Sequence, residues 1–254
     1  MSWELGLGDR GVVVTGGAGG IGREVVAAYA SAGARVAVVD LDEDSCAEVV
    51  AGLEHPERHL AIGARLDDLT THEAVLRRAL DAVGRLDVLA HLAAVLRRRA
   101  TVDDVTEEDW DLQLDVNLKA TFFLNRSVAR LFREQGRGGR IVNFATQGWQ
   151  TGGFGGSVVY AASKGGVVAL SRGLARTFAP DAITVNTVSP GAVDTPMMRD
   201  GMSDEALASF LAMVPLGRLA APSELAGIVL FLSSDHASYI TGATVNVSGG
   251  QLMY

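Results

Sequence analysis

Tyr160 and Lys164 stand four residues apart in Tyr160-Ala161-Ala162-Ser163-Lys164, and on a helix that spacing puts both side chains on one face. A phenol titrates near pH 10, too high for a base at neutral pH, but a cation held beside it favours the phenolate. The pair is therefore suited to moving a proton, although an ordinary helix surface carries the same spacing. A second stretch, Thr15-Gly16-Gly17-Ala18-Gly19-Gly20-Ile21-Gly22, could cradle phosphates. Its glycines permit a tight turn, and the helix that follows offers free N–H groups to a pyrophosphate. Asp40 lies at the distance beyond this loop from which a carboxylate can bind adenosine ribose hydroxyls. It would repel a 2′-phosphate, and no Lys or Arg directly follows it, so it favours NAD over NADP. Asp40 could equally cap the next helix, and Asp67, with Asp68 beside it, could touch adenine or cap the helix after that.

These groups need elements that hold them at one end of a sheet. Gly11–Thr15 is a short apolar run ending at the glycines, as a buried parallel strand would be. Further strands are expected at Arg35–Asp40, near His59–Leu66, and at Leu86–Leu92, Arg140–Ala145, Ile183–Val188 and Thr244–Val247. Helical periodicity follows the loop from Ile21 to a stop at Gly33. It recurs over Asp42–Leu53, His72–Val83, Thr106–Glu134, Val159–Phe178, Ser203–Met213 and Pro222–Leu232. Strands alternating with helices predict an α/β fold, a Rossmann-like doubly wound parallel sheet of about seven strands with helices on both faces. No linker or repeat interrupts the chain, so one domain over residues 1–254 is expected.

Composition agrees with a packed α/β enzyme: 48% of the 254 residues are apolar, 20% are charged and 30 are glycine. A formal net charge of −8 argues against nucleic-acid binding. The N-terminus lacks a basic region followed by an apolar stretch, and no run reaches the ~18 apolar residues of a membrane span. A cytoplasmic protein without membrane contact is the expectation. The lone cysteine, Cys46, rules out an intrachain disulfide, and its place reads as a surface helix. No His, Cys or carboxylate cluster has metal-ligand spacing, so no metal is expected.

Taken together, the glycine loop, Asp40 and the Tyr160/Lys164 pair resemble the short-chain dehydrogenase/reductase family in its single-domain form. The resemblance extends to Asn117 in Asp115-Val-Asn-Leu-Lys119, to Gly139-Arg-Ile-Val-Asn143, to Ser189-Pro190-Gly191 with Thr195-Pro196, and to Thr241-Gly242 and Gly249-Gly250. It implies interconversion of a secondary alcohol and a ketone by hydride transfer to or from NAD, with Asn117, Thr146, Tyr160 and Lys164 as the catalytic set. Tyr160 would be the acid/base, Lys164 would lower its pKa and hold the nicotinamide ribose, and Thr146 would bond the substrate oxygen. Gly16, Gly20, Ile21 and Gly22 would hold the pyrophosphate, and Asp40, Leu41, Asp67 and Asp68 the adenosine. Ala93, Pro190, Gly191, Val193 and Thr195 would complete the cofactor site. The family also implies a homotetramer or homodimer.

Two departures stand out. Thr146 occupies the position where the family usually has serine; it keeps the hydroxyl but adds a methyl that restricts χ1. His91-Leu92-Ala93-Ala94 stands where Asn-Asn-Ala-Gly is common and looks like the larger epimerase and dehydratase relatives, so an NAD-using epimerase or dehydratase is the alternative reading. A dinucleotide-binding protein without catalysis is a third, disfavoured by the intact acid/base set. His91 itself reads as a satisfied structural residue. Substrate selection is expected from the loops Val95–Ala100, Gln147–Val158 and Ala192–Met213. Gln147 could read a hydroxyl, and Trp149, Phe154 and Met197 could form an apolar wall. Arg97-Arg98-Arg99 could bind a carboxylate or phosphate, or be a solvated charge run. A small polar or cyclic alcohol or ketone fits these residues.

Overall fold

The computed structural model describes residues 4–153, 155–200 and 203–253. Seven parallel strands form one sheet: β1 (Gly11–Thr15), β2 (Arg35–Asp40), β3 (Leu60–Gly63), β4 (Val88–His91), β5 (Gly139–Phe144), β6 (Ile183–Pro190) and β7 (Thr244–Val247), ordered β3-β2-β1-β4-β5-β6-β7. All six ladders are parallel. The strands read as apolar runs because helices cover both of their faces. Val13, Ile141 and Val185 point to a core shared with α3 (Thr71–Val83), α5 (Ala120–Gln135) and α7 (Val158–Phe178). Val12, Val14, Val142 and Val188 point to the opposite core with α1 (Gly20–Ser31), α2 (Glu43–Ala51) and α9 (Ser223–Ser233). The order in which strands are added reverses between β1 and β4, the place where such sheets open a crevice for a ligand.

Three expectations are corrected. The single helix expected over Thr106–Glu134 is interrupted. Thr106 does cap α4 (Glu107–Leu114), its side chain accepting from Asp109 N, but a π-helical turn at Asp115–Lys119 separates α4 from α5. A π-turn adds one residue rather than breaking the helix, so helix propensity along the sequence does not mark it. The third strand is shorter than His59–Leu66, because its ladder with β2 spans Leu60–Gly63. Cys46 is no surface residue: it is fully buried between α2 and β3, its thiol donating to the Ile62 carbonyl oxygen.

Candidate active site

The β1–α1 junction turns at Gly16, whose φ is +67°, and closes on Gly22. A Cβ on Gly22 would lie 1.9 Å from the Gly16 carbonyl oxygen, so the helix can start this close to the strand only with glycine there. α1 begins with no side-chain cap and no acid in its first turn. Its positive end and unpaired N–H groups are thus left for an anion. Thr195 packs over Gly20, which brings the segment after β6 above this loop. The donor set suits a dinucleotide pyrophosphate.

At the end of β2, Asp40 Oδ2 accepts from Ala18 N at 3.0 Å and Oδ1 from Leu41 N at 2.8 Å. Each oxygen keeps a lone pair for a hydroxyl. The capping alternative falls away, because Asp42 caps α2 by accepting from Ser45 N. Leu41 is 70% exposed next to Asp40, an apolar surface of the kind that stacks on a base. Asp67 pairs with Arg65 at 2.5 Å, and Asp68 accepts from Thr70 N and Oγ1 in the turn entering α3. Asp68 therefore directs its carboxylate to that turn.

On the other side of the crevice, Gly191 N donates to Val247 O, and Val193 bridges to Ala220. Thr195 Oγ1 caps the short helix α8 (Pro196–Arg199), accepting from Met198 N at 3.3 Å. Pro190 ends β6 and accepts from Gln147 N. Ala93 N donates to Thr15 Oγ1 at 3.3 Å, holding the chain after β4 against the glycine loop.

Tyr160 and Lys164 lie in the first two turns of α7 as the spacing requires. Lys164 is buried, and its ammonium donates to the Phe144 carbonyl oxygen at 2.9 Å and sits 5.9 Å from the Tyr160 ring centroid. Burial brings Lys164 down to about 8 and pushes the Tyr160 phenol up to about 12. In the polypeptide alone the lysine thus does not bring the phenol toward neutrality, because desolvation outweighs it. Thr146 follows β5 and neighbours Ala161, since Gly148 packs against Thr146 Cγ2 and Ala161 Cβ together. Asn117, in the π-turn, ties the other parts together. Its Oδ1 accepts from Val95 N at 2.8 Å, and its Nδ2 donates to Val95 O at 2.9 Å and Ser163 Oγ at 3.1 Å. It fixes the loop after β4 against the residue preceding Lys164.

His91 is a satisfied structural residue, as its sequence context suggests, but its partners were not legible. Thr121 Oγ1 donates to the Asn117 carbonyl oxygen at 2.6 Å and stands 2.9 Å from His91 Nε2. Its one proton is committed, so Nε2 must carry the proton it shares with Thr121. Nδ1 then accepts, at 2.7 Å, from Thr15 Oγ1. One directed series of hydrogen bonds runs Ala93–Thr15–His91–Thr121–Asn117, from the glycine loop to the π-turn. Burial lowers His91 to about 3, so the ring is neutral. The only sequence signal was Thr121, four residues after Asn117.

The proposed substrate residues divide. Gln147 is buried, with Nε2 donating to Gln251 Oε1 at 2.7 Å; Gln251 was not anticipated. Trp149 lies in α6 (Gly148–Thr151) and packs on α7. It lies over Gly165 on α7, with the Arg172 guanidinium 5.7 Å from its ring. Met197 is exposed on α8, and Phe154 falls outside the described residues. A cleft of about 570 Å³ is lined by Leu96–Ala100, Glu108, Asp109 and Asp200. Of its arginines, Arg99 makes a two-pronged ion pair with Asp109, which sits well below the usual carboxylate range, and Arg98 donates to Asp200 O. Among the described residues no group of three metal-ligating side chains occurs, and no helix is long and apolar enough to cross a membrane.

Known proteins resemble this chain over nearly its whole length. A family model described as enoyl-(acyl carrier protein) reductase matches residues 16–251. Acetoacetyl-CoA reductase of Acinetobacter sp. (strain RA3849) is 36% identical over 247 residues, 95% of this chain and 97% of the relative. D-threitol dehydrogenase of Mycolicibacterium smegmatis is 37% identical over 257 residues, 98% of this chain and 95% of the relative. The crystal structure of gox2181 superposes with a TM-score of 0.92 at 34% identity, covering 98% of this chain and 97% of the other.

Proposed function

The chain belongs to the short-chain dehydrogenase/reductase family, oxidoreductases that act on CH–OH groups with a nicotinamide dinucleotide, and on that footing we propose that it interconverts a secondary alcohol and a ketone with NAD. The observation that carries the reading is Lys164, buried on the face of α7 that bears Tyr160 and bonded to Phe144 O, two residues before Thr146. NAD, when bound, accepts or returns the hydride.

In oxidation Tyr160 Oη takes the hydroxyl proton, and in reduction it returns one. The Lys164 ammonium favours the phenolate against the desolvation that opposes it. Thr146 Oγ1 bonds the substrate oxygen, and Asn117 holds the loop and helix between which the substrate enters. Asp40 supports NAD over NADP: its carboxylate faces the glycine loop, where a 2′-phosphate would meet a like charge.

The substrate we propose is small and polar or cyclic. D-threitol in one relative's name supports a polyol, and acetoacetyl-CoA in another's adds a 3-oxoacyl thioester to the compounds worth trying. The epimerase or dehydratase alternative rested on His91, and both nitrogens of that ring are engaged in the hydrogen-bond series. We further propose a single catalytic domain, a cytoplasmic setting and a homotetramer or homodimer, which light scattering in solution tests. The decisive experiment is an alcohol and ketone panel, thioesters included, followed at 340 nm with NAD and NADP separately. Absence of net dinucleotide turnover across the panel would overturn the assignment.

A further inference from the structure

At the opposite end of the sheet, where β1, β4 and β5 begin, a cavity of about 120 Å³ is lined by Arg10, Arg85, Asp87, Arg137, Arg140 and Asp235, together with Gly138 and Gly139. Four guanidinium groups meet two carboxylates there, an excess of two positive charges in a chain whose formal net charge is −8. Asp87 is committed to its neighbours. It accepts from Gly11 N and from two nitrogens of Arg85. Asp235 is exposed and bonded to Arg10 at 2.6 Å, while the Arg140 guanidinium stands 3.7 Å from it, beyond hydrogen-bond range.

Arg140 is the anomaly. Its side chain is only 14% exposed. Its one hydrogen bond to a described residue is a 3.3 Å contact from Nη1 to the Gly139 carbonyl oxygen, and its buried Nε has no partner among the described residues. Burial and the neighbouring Arg10 charge hold this guanidinium below the usual arginine range. A buried cation with unused donors is costly unless something accepts from it. Arg137, on the turn between α5 and β5, lines the cavity, is exposed and makes no ion pair among the described residues.

We propose that this cavity binds a small tetrahedral oxyanion, a phosphate or the phosphate of a small phosphomonoester, at a site separate from the active site. The forked donors of arginine match two oxygens of such an ion at once. The volume is that of about four waters at ~30 Å³ each, which admits one oxyanion and not a nucleotide. The six residues of β5 at ~3.3 Å each set the two ends of that strand about 20 Å apart, so the site does not overlap the cofactor loop. It does anchor the starts of the three strands whose far ends lead to Thr15, His91 and Thr146.

A ligand that binds the folded state alone raises the melting temperature in proportion to the logarithm of its concentration above Kd. The experiment is a thermal melt with inorganic phosphate, and separately with glycerol 3-phosphate, against sodium chloride at matched ionic strength. Wild type is expected to show a saturable rise. Arg137→Ala and Arg140→Gln should each weaken the apparent affinity at least tenfold. Arg137→Ala removes an exposed, unpaired side chain, so it keeps the test meaningful if Arg140→Gln does not fold. The more potent of the two anions identifies the occupant as free ion or ester, and either supports the site. No saturable rise over chloride overturns the proposal. So does an unchanged response in Arg137→Ala together with a folded Arg140→Gln, which would place the binding elsewhere, at the α1 N-terminus for example.

Discussion

Lys164 donates to the carbonyl oxygen of Phe144 at 2.9 Å, so the cation of the candidate site is held by the strand that leads to Thr146 and not by the tyrosine it serves. That bond fixes the ammonium, while burial opposes its charge and brings it down to about 8. The protein accepts instability here for the sake of chemistry.

Lys164→Met separates the two. Lysine ordinarily titrates at 10.5. Because the folded value lies below the unfolded one, the unfolded chain binds more protons between about 8 and 10.5, and stability contributed by this group rises with pH through that window. Below pH 8 the full cost, about 3 kcal/mol, is present. Lys164→Met is therefore expected to raise the melting temperature at pH 7 and to lose that advantage by pH 10.5, while turnover collapses. A variant melting below wild type at pH 7 would sink this account.

Tyr160→Phe removes only the acid/base oxygen. Turnover is expected to fall roughly a hundred- to ten-thousand-fold, with NADH affinity by fluorescence titration changed no more than a few-fold. Because the phenol lies at about 12 in the polypeptide alone, wild-type alcohol oxidation should rise with pH from 6 to 9. An oxidation rate flat over that range would contradict the role of the phenolate.

Asp40→Asn keeps an acceptor beside Ala18 N but removes the charge. kcat/KM for NAD is expected to drop about tenfold and that for NADP to rise, as the repulsion of a 2′-phosphate is relieved. Equal losses for both dinucleotides would show that Asp40 shapes the loop without reading the ribose.

His91 should stay a neutral Nε2–H tautomer down to pH 5, which ¹⁵N spectra of the ring report directly. The folded value of about 3 lies below the ordinary 6.5, so its stabilising effect is complete above 6.5 and is lost as the pH falls toward 3. From pH 6.5 to 5 the loss is about 2 kcal/mol. His91→Asn should show a correspondingly shallower decline in urea unfolding over the same range.

Cys46 is buried, and its thiol is pushed up to about 11, chiefly by that burial. A thiol-specific disulfide reagent should label the native protein only at the rate of unfolding and label it at once in denaturant.

The alternation of strands and helices was legible because each strand is covered on both faces and so reads as an unbroken apolar run; Val12, Val13 and Val14 are all fully buried. The Tyr160/Lys164 face and the glycine loop were legible for the same reason, since helix spacing and glycine tolerance are local. The π-turn was not, because the inward positions before and within it are the polar Asp109, Gln113 and Asn117, so no apolar stripe marks where the phase slips by one residue. Nor were the partners of His91, which come from 76 residues before it and 30 after it. Where Trp149 packs was not legible either, because a large aromatic in a loop rests as readily on the flank of a helix as in a cleft; here it lies against Gly165 and Arg172.

The π-turn at Asp115–Lys119 has a consequence for how this chain tolerates length change. The wide turn absorbs one surplus residue, about 100° of helical phase that a regular helix of the same length would pass on to α5, and so keeps Leu124, Val128 and Phe132 on the sheet. A single-residue deletion within 115–119 would leave one regular helix with α5 still facing the sheet. It would swing Asn117 off both Val95 and Ser163 while improving local hydrogen bonding. The irregularity works as a gear tooth between two rigid cylinders: removing it disengages the loop after β4 from α7.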